Sequence, residues 1–127
     1  MNKGTPINEA ASVRNNLKKH FANTTSRSLL AIWLLVKGSR FSLKSLEELI
    51  SLPEDALEAK LQTFAGMGLV HVITDPKGER QIEFLPPPIA DLEKTIWELF
   101  DGRKGDFETV ELKLRSMIYK NLLNSSL

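Results

Sequence analysis

The hydrophobic positions of the chain repeat with a helical period over most of its length and alternate over one stretch in the middle. Apolar residues spaced three or four apart line one face of a helix, whereas alternation is typical of a half-buried strand. The alternating stretch and a shorter extended piece before it predict strands over residues 41–43, 69–74 and 80–85. The helical spacing predicts helices over residues 7–22, 27–37, 44–50, 53–66, 89–101 and 106–123.

The second predicted helix is apolar on nearly every side, because every residue from Leu29 to Val36 is hydrophobic. A helix without a polar face is normally buried all round. Residues 23–26 are polar and supply an N-cap before it, and Gly38 follows it as a C-cap. We therefore expect other elements to cover this helix from more than one direction.

Turn and capping residues set the boundaries in the middle of the chain. Residues 75–78, Asp-Pro-Lys-Gly, are a strong turn signal between two predicted strands and therefore predict a β-hairpin. Ser51 and Glu54 have the spacing of a capping box, and Pro53 suits the first turn of a helix. The three prolines at 86–88 predict a stiff, extended linker.

Composition narrows the class of protein. The 127 residues suit one domain, and 42% of them are hydrophobic, which is enough for a core. The absence of cysteine excludes disulfides, thiol nucleophiles and thiolate zinc sites. The longest apolar run, residues 29–36, is too short to span a bilayer, and residues 1–10 lack the apolar region of a signal peptide. We therefore expect a cytoplasmic protein with no membrane partner.

The net charge of +1 conceals an uneven distribution. Residues 1–45 carry eight Lys or Arg and one acid, whereas residues 46–66 carry five acids and one Lys. A basic segment favours an anionic partner such as DNA. A solvated helical surface accounts for the same charges equally well, so charge alone does not decide between the two.

The order of the predicted elements resembles that of bacterial winged-helix regulators of the MarR type. The resemblance is closest over residues 52–70, where a turn residue, three inward apolar residues and a closing Gly-Leu-Val follow one another. These positions are occupied by Leu52, by Leu57, Leu61 and Phe64, and by Gly68, Leu69 and Val70.

The resemblance implies a fold that is mainly α with a small β-hairpin, the wing. It divides the chain into an N-terminal tail and helix over residues 1–25, a winged helix-turn-helix core over 26–85, and C-terminal helices over 86–127. In the family the third helix of the core lies in the major groove of DNA, and the wing reaches the phosphates. The implied function is that of a transcriptional regulator that binds double-stranded DNA.

The resemblance also indicates which residues would contact DNA. They belong to the start of the helix before the turn, to the third helix and to the wing. The predicted DNA contacts are Arg40, Lys44, Lys60, Gln62, Thr63, Lys77 and Arg80.

The third helix of the core, over residues 53–66, departs from the family's pattern. Where relatives often carry Ser, Thr and Arg, this chain has Glu54, Asp55 and Glu58. Phosphates repel carboxylates, and the phosphate field dominates affinity for DNA. Acids in a first helical turn also stabilise the helix dipole, which is a structural explanation for Glu54 and Asp55. The alternative function is a winged-helix module that binds a protein through this acidic helix.

The helices outside the core carry apolar stripes that need cover. In MarR-like proteins such helices form the dimer interface, so the resemblance implies a homodimer with two third helices one DNA turn apart. The stripes could also cover each other or the helix at 29–36. The predicted interface consists of Ile96, Leu99, Phe107, Val110, Leu114, Met117 and Ile118.

No pattern in the sequence indicates catalysis, a cofactor or a metal, so we expect none of the three. His20 and His71 are far apart in the sequence and lack neighbours at ligand spacing, which favours packing or surface roles. Residues 66–68, Gly-Met-Gly, fit a helix terminus rather than a nucleotide-binding loop. Trp33 and Trp97 are predicted to lie in the core or an interface rather than in a ligand cage.

Overall fold

Helices dominate the computed structural model, which describes residues 6–126 and the side chains of residues 12, 14–53 and 55–120. Each predicted element is present within three residues of its predicted ends. The described strands are β1 (Arg40–Ser42), β2 (Val70–Thr74) and β3 (Arg80–Phe84). The described helices are α1 (Pro6–His20), α2 (Thr24–Val36), α3 (Leu43–Ile50), α4 (Glu54–Gly66), α5 (Leu92–Asp101) and α6 (Lys104–Ser126).

Helix α2 lies at the centre of the core, as its uniformly apolar sequence predicts. The side chain of Asn23 caps it by accepting a hydrogen bond from the backbone N–H of Ser26 at 3.1 Å. Gly38 follows its last turn with a positive φ of 94°, a conformation that glycine adopts without strain. Trp33 is fully buried, and its indole N–H donates to the carbonyl of Leu85 at 2.7 Å, so no polar atom of this ring is left unsatisfied.

The three strands form an antiparallel sheet in the order β1-β3-β2. Phe41, Ile82 and Val72 are aligned across the three strands and pack against the core. The neighbouring row on the opposite face consists of Arg40, Glu83 and His71. Because side chains alternate along a strand, the row that contains Ile82 faces the helices and the row that contains Glu83 lies on the opposite face of the sheet.

The predicted hairpin between β2 and β3 is closed by the side chain of Asp75. Its carboxylate accepts hydrogen bonds from the backbone N–H groups of Lys77 and Glu79, each at 2.9 Å. Gly78 completes the turn with a φ of 86°. The Asp-Pro-Lys-Gly signal therefore predicted this turn correctly.

The capping box predicted for Ser51 and Glu54 is wrong. Ser51 ends α3 in the left-handed conformation with a φ of 60°, and its backbone N–H donates to the carbonyl of Glu47. An N-cap residue needs an extended conformation, which Pro53 adopts instead without a side-chain hydrogen bond. Ser51 serves the end of one helix and cannot also cap the start of the next.

The flanking helices pack onto the core of their own chain. Helix α1 contacts α5, and α6 lies along both α2 and α3. Arg27 of α2 is 6% exposed and connects α2 to α6. Its guanidinium donates to the carboxylate of Asp106 at 2.8 Å and to the carbonyl of Phe21 at 2.7 Å. One cation of the basic N-terminal third is therefore used inside the molecule.

Candidate functional site

Two of the predicted DNA contacts, Lys44 and Arg80, line one groove between α3 and the hairpin. We call it the α3–hairpin groove. It has a volume of about 370 Å³, and Glu47 and Gly78 are also among its lining residues. The groove arises because β1 pairs with β3 and runs directly into α3. The hairpin is thereby held beside the first turn of that helix.

The first turn of α3 is fixed by its own cap. The hydroxyl of Ser42 accepts a hydrogen bond from the backbone N–H of Ser45 at 3.1 Å. Ser42 is also the last residue of β1, where it is paired with Gln81 of β3. The position of Lys44, the second residue of the helix, is thus set by both the cap and the strand pairing.

Arg80 forms an ion pair with Glu58 of α4. Arg80 is the first residue of β3, and its side chain lies on the side of the sheet that the helices cover. The pair forms because α4 packs against β2 on that side. The arginine side chain is 45% exposed and the glutamate side chain 25% exposed. Arg80 is therefore not a free cation, because an acid of α4 is paired with it.

The other predicted DNA contacts differ in their exposure. Lys77 is exposed at the tip of the hairpin, and Arg40 is exposed at the end of β1 that is farther from α3. On α4, Gln62 is exposed, while Lys60 and Thr63 are half-buried. The hydroxyl of Thr63 donates to the carbonyl of Ala59, so this side chain is turned towards its own helix.

The segment that contains the groove and the third core helix is acidic in composition. Residues 43–85, from α3 to the residue after β3, contain eight acids and four Lys or Arg. Two cations of the N-terminal third lie in internal pairs. Arg27 binds Asp106, and Lys37 binds Glu93 at 3.0 Å while its ammonium lies 5.6 Å from the ring centroid of Trp33. These two cations of the N-terminal third are therefore neutralised within the molecule.

Neither histidine lies in a metal-binding cluster. His71 is exposed, and its Nδ1 lies 3.7 Å from a carboxylate oxygen of Glu83, its neighbour in the sheet. Among the described residues, no group of three or more His, Asp or Glu is placed to hold a metal ion.

Three of the residues predicted to form a dimer interface are buried within their own chain. Ile96, Val110 and Leu114 are at most 8% exposed, because α5 and α6 pack against the core. These three side chains are therefore not available to a second copy in this conformation, which corrects the prediction for them. The remaining predicted residues are more accessible: Leu99, Phe107 and Met117 are half-buried, and Ile118 is 41% exposed.

Other apolar side chains that the sequence did not single out are open to solvent. Leu112 is 68% exposed and Tyr119 is 65% exposed, both on α6. They are seven residues apart and so lie on one face of that helix. The sequence signal that could have identified them is their spacing from the buried stripe of α6, because it places them on the opposite side of the helix.

Across residues 6–126, no helix combines the length and the hydropathy that crossing a bilayer requires. Comparisons of the chain with family models, with curated proteins and with solved structures give no match.

Proposed function

We propose that residues 26–85 form a winged helix-turn-helix and that the chain binds double-stranded DNA through α4 and the hairpin. The observation that carries the proposal is the arrangement of these elements. A three-residue turn joins α3 to α4, α4 packs beside the β2–β3 hairpin, and the sheet order is β1-β3-β2. The major groove of DNA admits one α-helix, and a hairpin beside that helix reaches the backbone.

On this proposal most of the affinity for DNA comes from phosphate contacts made by residues outside α4. Lys44 at the start of α3 and Lys77 at the hairpin tip are exposed and form no ion pair among the described side chains. On α4 the described exposed groups include Asp55 and Gln62. An acid weakens binding to phosphate, whereas Gln62 has the amide that pairs with the edge of adenine.

Fluorescence anisotropy with a labelled duplex of about three helical turns tests the proposal at low salt. Wild-type protein is expected to bind, and Lys44→Ala with Lys77→Ala is expected to bind at least tenfold more weakly, because two phosphate contacts are lost. Lys94→Ala with Lys113→Ala is the matched control, since it removes the same charge from α5 and α6. Absence of binding by the wild type, or equal losses in both double variants, would contradict the proposal.

A second function, binding of a basic protein through α4, is favoured by one observation. Acids outnumber bases by eight to four over residues 43–85, and Glu58 already neutralises Arg80. On this proposal Asp55 and Glu58 contact the partner, and the removal of their charges abolishes its binding. If the chain bound no duplex at low salt but retained a basic protein that Asp55→Asn with Glu58→Gln released, this second function would replace the first.

We also propose that the partner of α6 is a second copy of the chain. Three large apolar side chains of that helix, Leu112, Ile118 and Tyr119, are exposed to solvent. Pairing across a two-fold axis would cover them and would set two copies of α4 one DNA turn apart, as a symmetric DNA site requires.

A further inference from the structure

Trp97 stands at the end of a row of four aromatic rings that begins in the core. The ring centroids of Phe21 and Phe100 lie 4.7 Å apart, those of Phe100 and Phe107 5.5 Å apart, and those of Phe107 and Trp97 4.8 Å apart. Phe100 is 2% exposed, whereas Trp97 is 43% exposed. Edge-to-face and tilted contacts give each ring a defined orientation. Trp97 is therefore a solvent-facing ring on a rigid support.

A cleft lies beside this ring, between the end of α5 and the start of α6. It has a volume of about 250 Å³, and Trp97, Phe100 and Phe107 form its apolar walls. Sites for drug-sized ligands span roughly 300–1,000 Å³. The cleft therefore has room for a compact head group rather than for a larger molecule.

The rim of the cleft is acidic. Asp101, Glu108 and Lys104 border it. The ammonium of Lys104 lies 3.7 Å from the carboxylate of Asp101 and offsets that charge. Glu108 is exposed and forms no ion pair among the side chains that the structure describes. An anion in the cleft would face the uncompensated carboxylate of Glu108, whereas a cation would meet that carboxylate and the indole ring of Trp97.

We propose that the cleft binds a small organic cation, an alkylated ammonium ion, over Trp97 with Asp101 and Glu108 beside it. The negative face of an aromatic ring attracts such a cation, most strongly for tryptophan, and the alkyl groups fill an apolar cavity. Glu108 supplies the charge complement, together with Asp101, whose charge Lys104 partly offsets. This site is separate from the DNA-binding proposal, so either can fail without the other.

The two indole N–H signals in a proton–nitrogen NMR spectrum provide the test, with choline as the probe. The Trp97 signal is expected to shift saturably, while the Trp33 signal stays in place because that ring is fully buried and bonded to the carbonyl of Leu85. The neutral isostere 3,3-dimethyl-1-butanol has the same shape without the charge. Its affinity is expected to be at least tenfold lower.

Two double variants of equal charge change separate the site from general electrostatics. Asp101→Asn with Glu108→Gln is expected to weaken choline binding at least tenfold, and an unchanged Trp33 signal will show that the variant is folded. Glu48→Gln with Glu79→Gln removes the same charge from α3 and the hairpin and is expected to bind choline like the wild type. Equal affinities for choline and its isostere, or equal losses in both variants, would overturn the proposal. A Trp97 signal that moves with protein concentration but not with choline would also overturn it, because a second copy would then cover the ring.

Discussion

At the scale of single residues, some basic side chains of this protein are paired with acids of the same chain and others are exposed. Arg27 and Arg80 both look like surface cations in the sequence, yet Arg27 binds Asp106 inside the molecule and Arg80 binds Glu58 of α4. Lys44 and Lys77 remain exposed. A count of charges along the chain could not separate the paired arginines from the exposed lysines, because the acid that binds each arginine lies at least 22 residues away in the sequence.

The pair between Glu58 and Arg80 leads to the first prediction. Glu58→Gln removes a carboxylate that repels phosphate and frees the guanidinium of Arg80. We expect the affinity for duplex DNA to rise about tenfold at low salt, as one additional phosphate contact would provide. Anisotropy titrations of the wild type and the variant measure it, with Glu98→Gln on α5 as a control of equal charge. Unchanged or weaker binding by Glu58→Gln would show that Arg80 does not reach DNA.

At the scale of elements, the period of the hydrophobic positions predicted the helices and strands well, but one of the turns between them was predicted wrongly. The apolar run of α2 predicted a central helix, and the turn residues at 75–78 predicted the hairpin. The junction of α3 and α4 was harder to predict, because Ser51 can either cap a helix or end one. The conformation that it adopts depends on the path of the whole turn.

The tie between α2 and α6 leads to the second prediction. Arg27 is 6% exposed and donates to Asp106, to the carbonyl of Phe21 and to the hydroxyl of Thr24. Arg27→Ala leaves these acceptors without their donor, so we expect the free energy of unfolding to fall by about 2 kcal/mol. Urea denaturation followed by circular dichroism measures it. Arg115→Ala breaks an exposed pair on α6 and should cost less than about 0.5 kcal/mol; equal effects of the two substitutions would refute the structural role of Arg27.

At the scale of the whole molecule, the sequence predicted which stripes are apolar but not which partner covers each of them. Ile96 and Leu114 were expected to face a second subunit and instead lie in the core of their own chain. Among the described side chains of α6, Leu112, Ile118 and Tyr119 are exposed and open to a partner. Only the packing of α5 and α6 within the chain distinguishes these two sets.

The exposed face of α6 leads to the third prediction. Leu112→Glu places a charge among the exposed apolar side chains through which we propose that two copies pair. We expect sedimentation velocity at micromolar concentration to give a dimer for the wild type and a monomer for the variant. Lys94→Glu, an exposed position on α5, serves as the control and should remain dimeric. A monomeric wild type would contradict the pairing directly.

The central claim is that Lys44 and Lys77 hold the phosphates of duplex DNA while α4 and the hairpin dock against it. The most direct test is the slope of the logarithm of the binding constant against the logarithm of salt concentration. Each phosphate contact adds about 0.9 to the magnitude of that slope. The account predicts that Lys44→Ala with Lys77→Ala lowers the magnitude by about 1.8, whereas Lys94→Ala with Lys113→Ala leaves it unchanged. A slope that is the same in the wild type and in both double variants would contradict it.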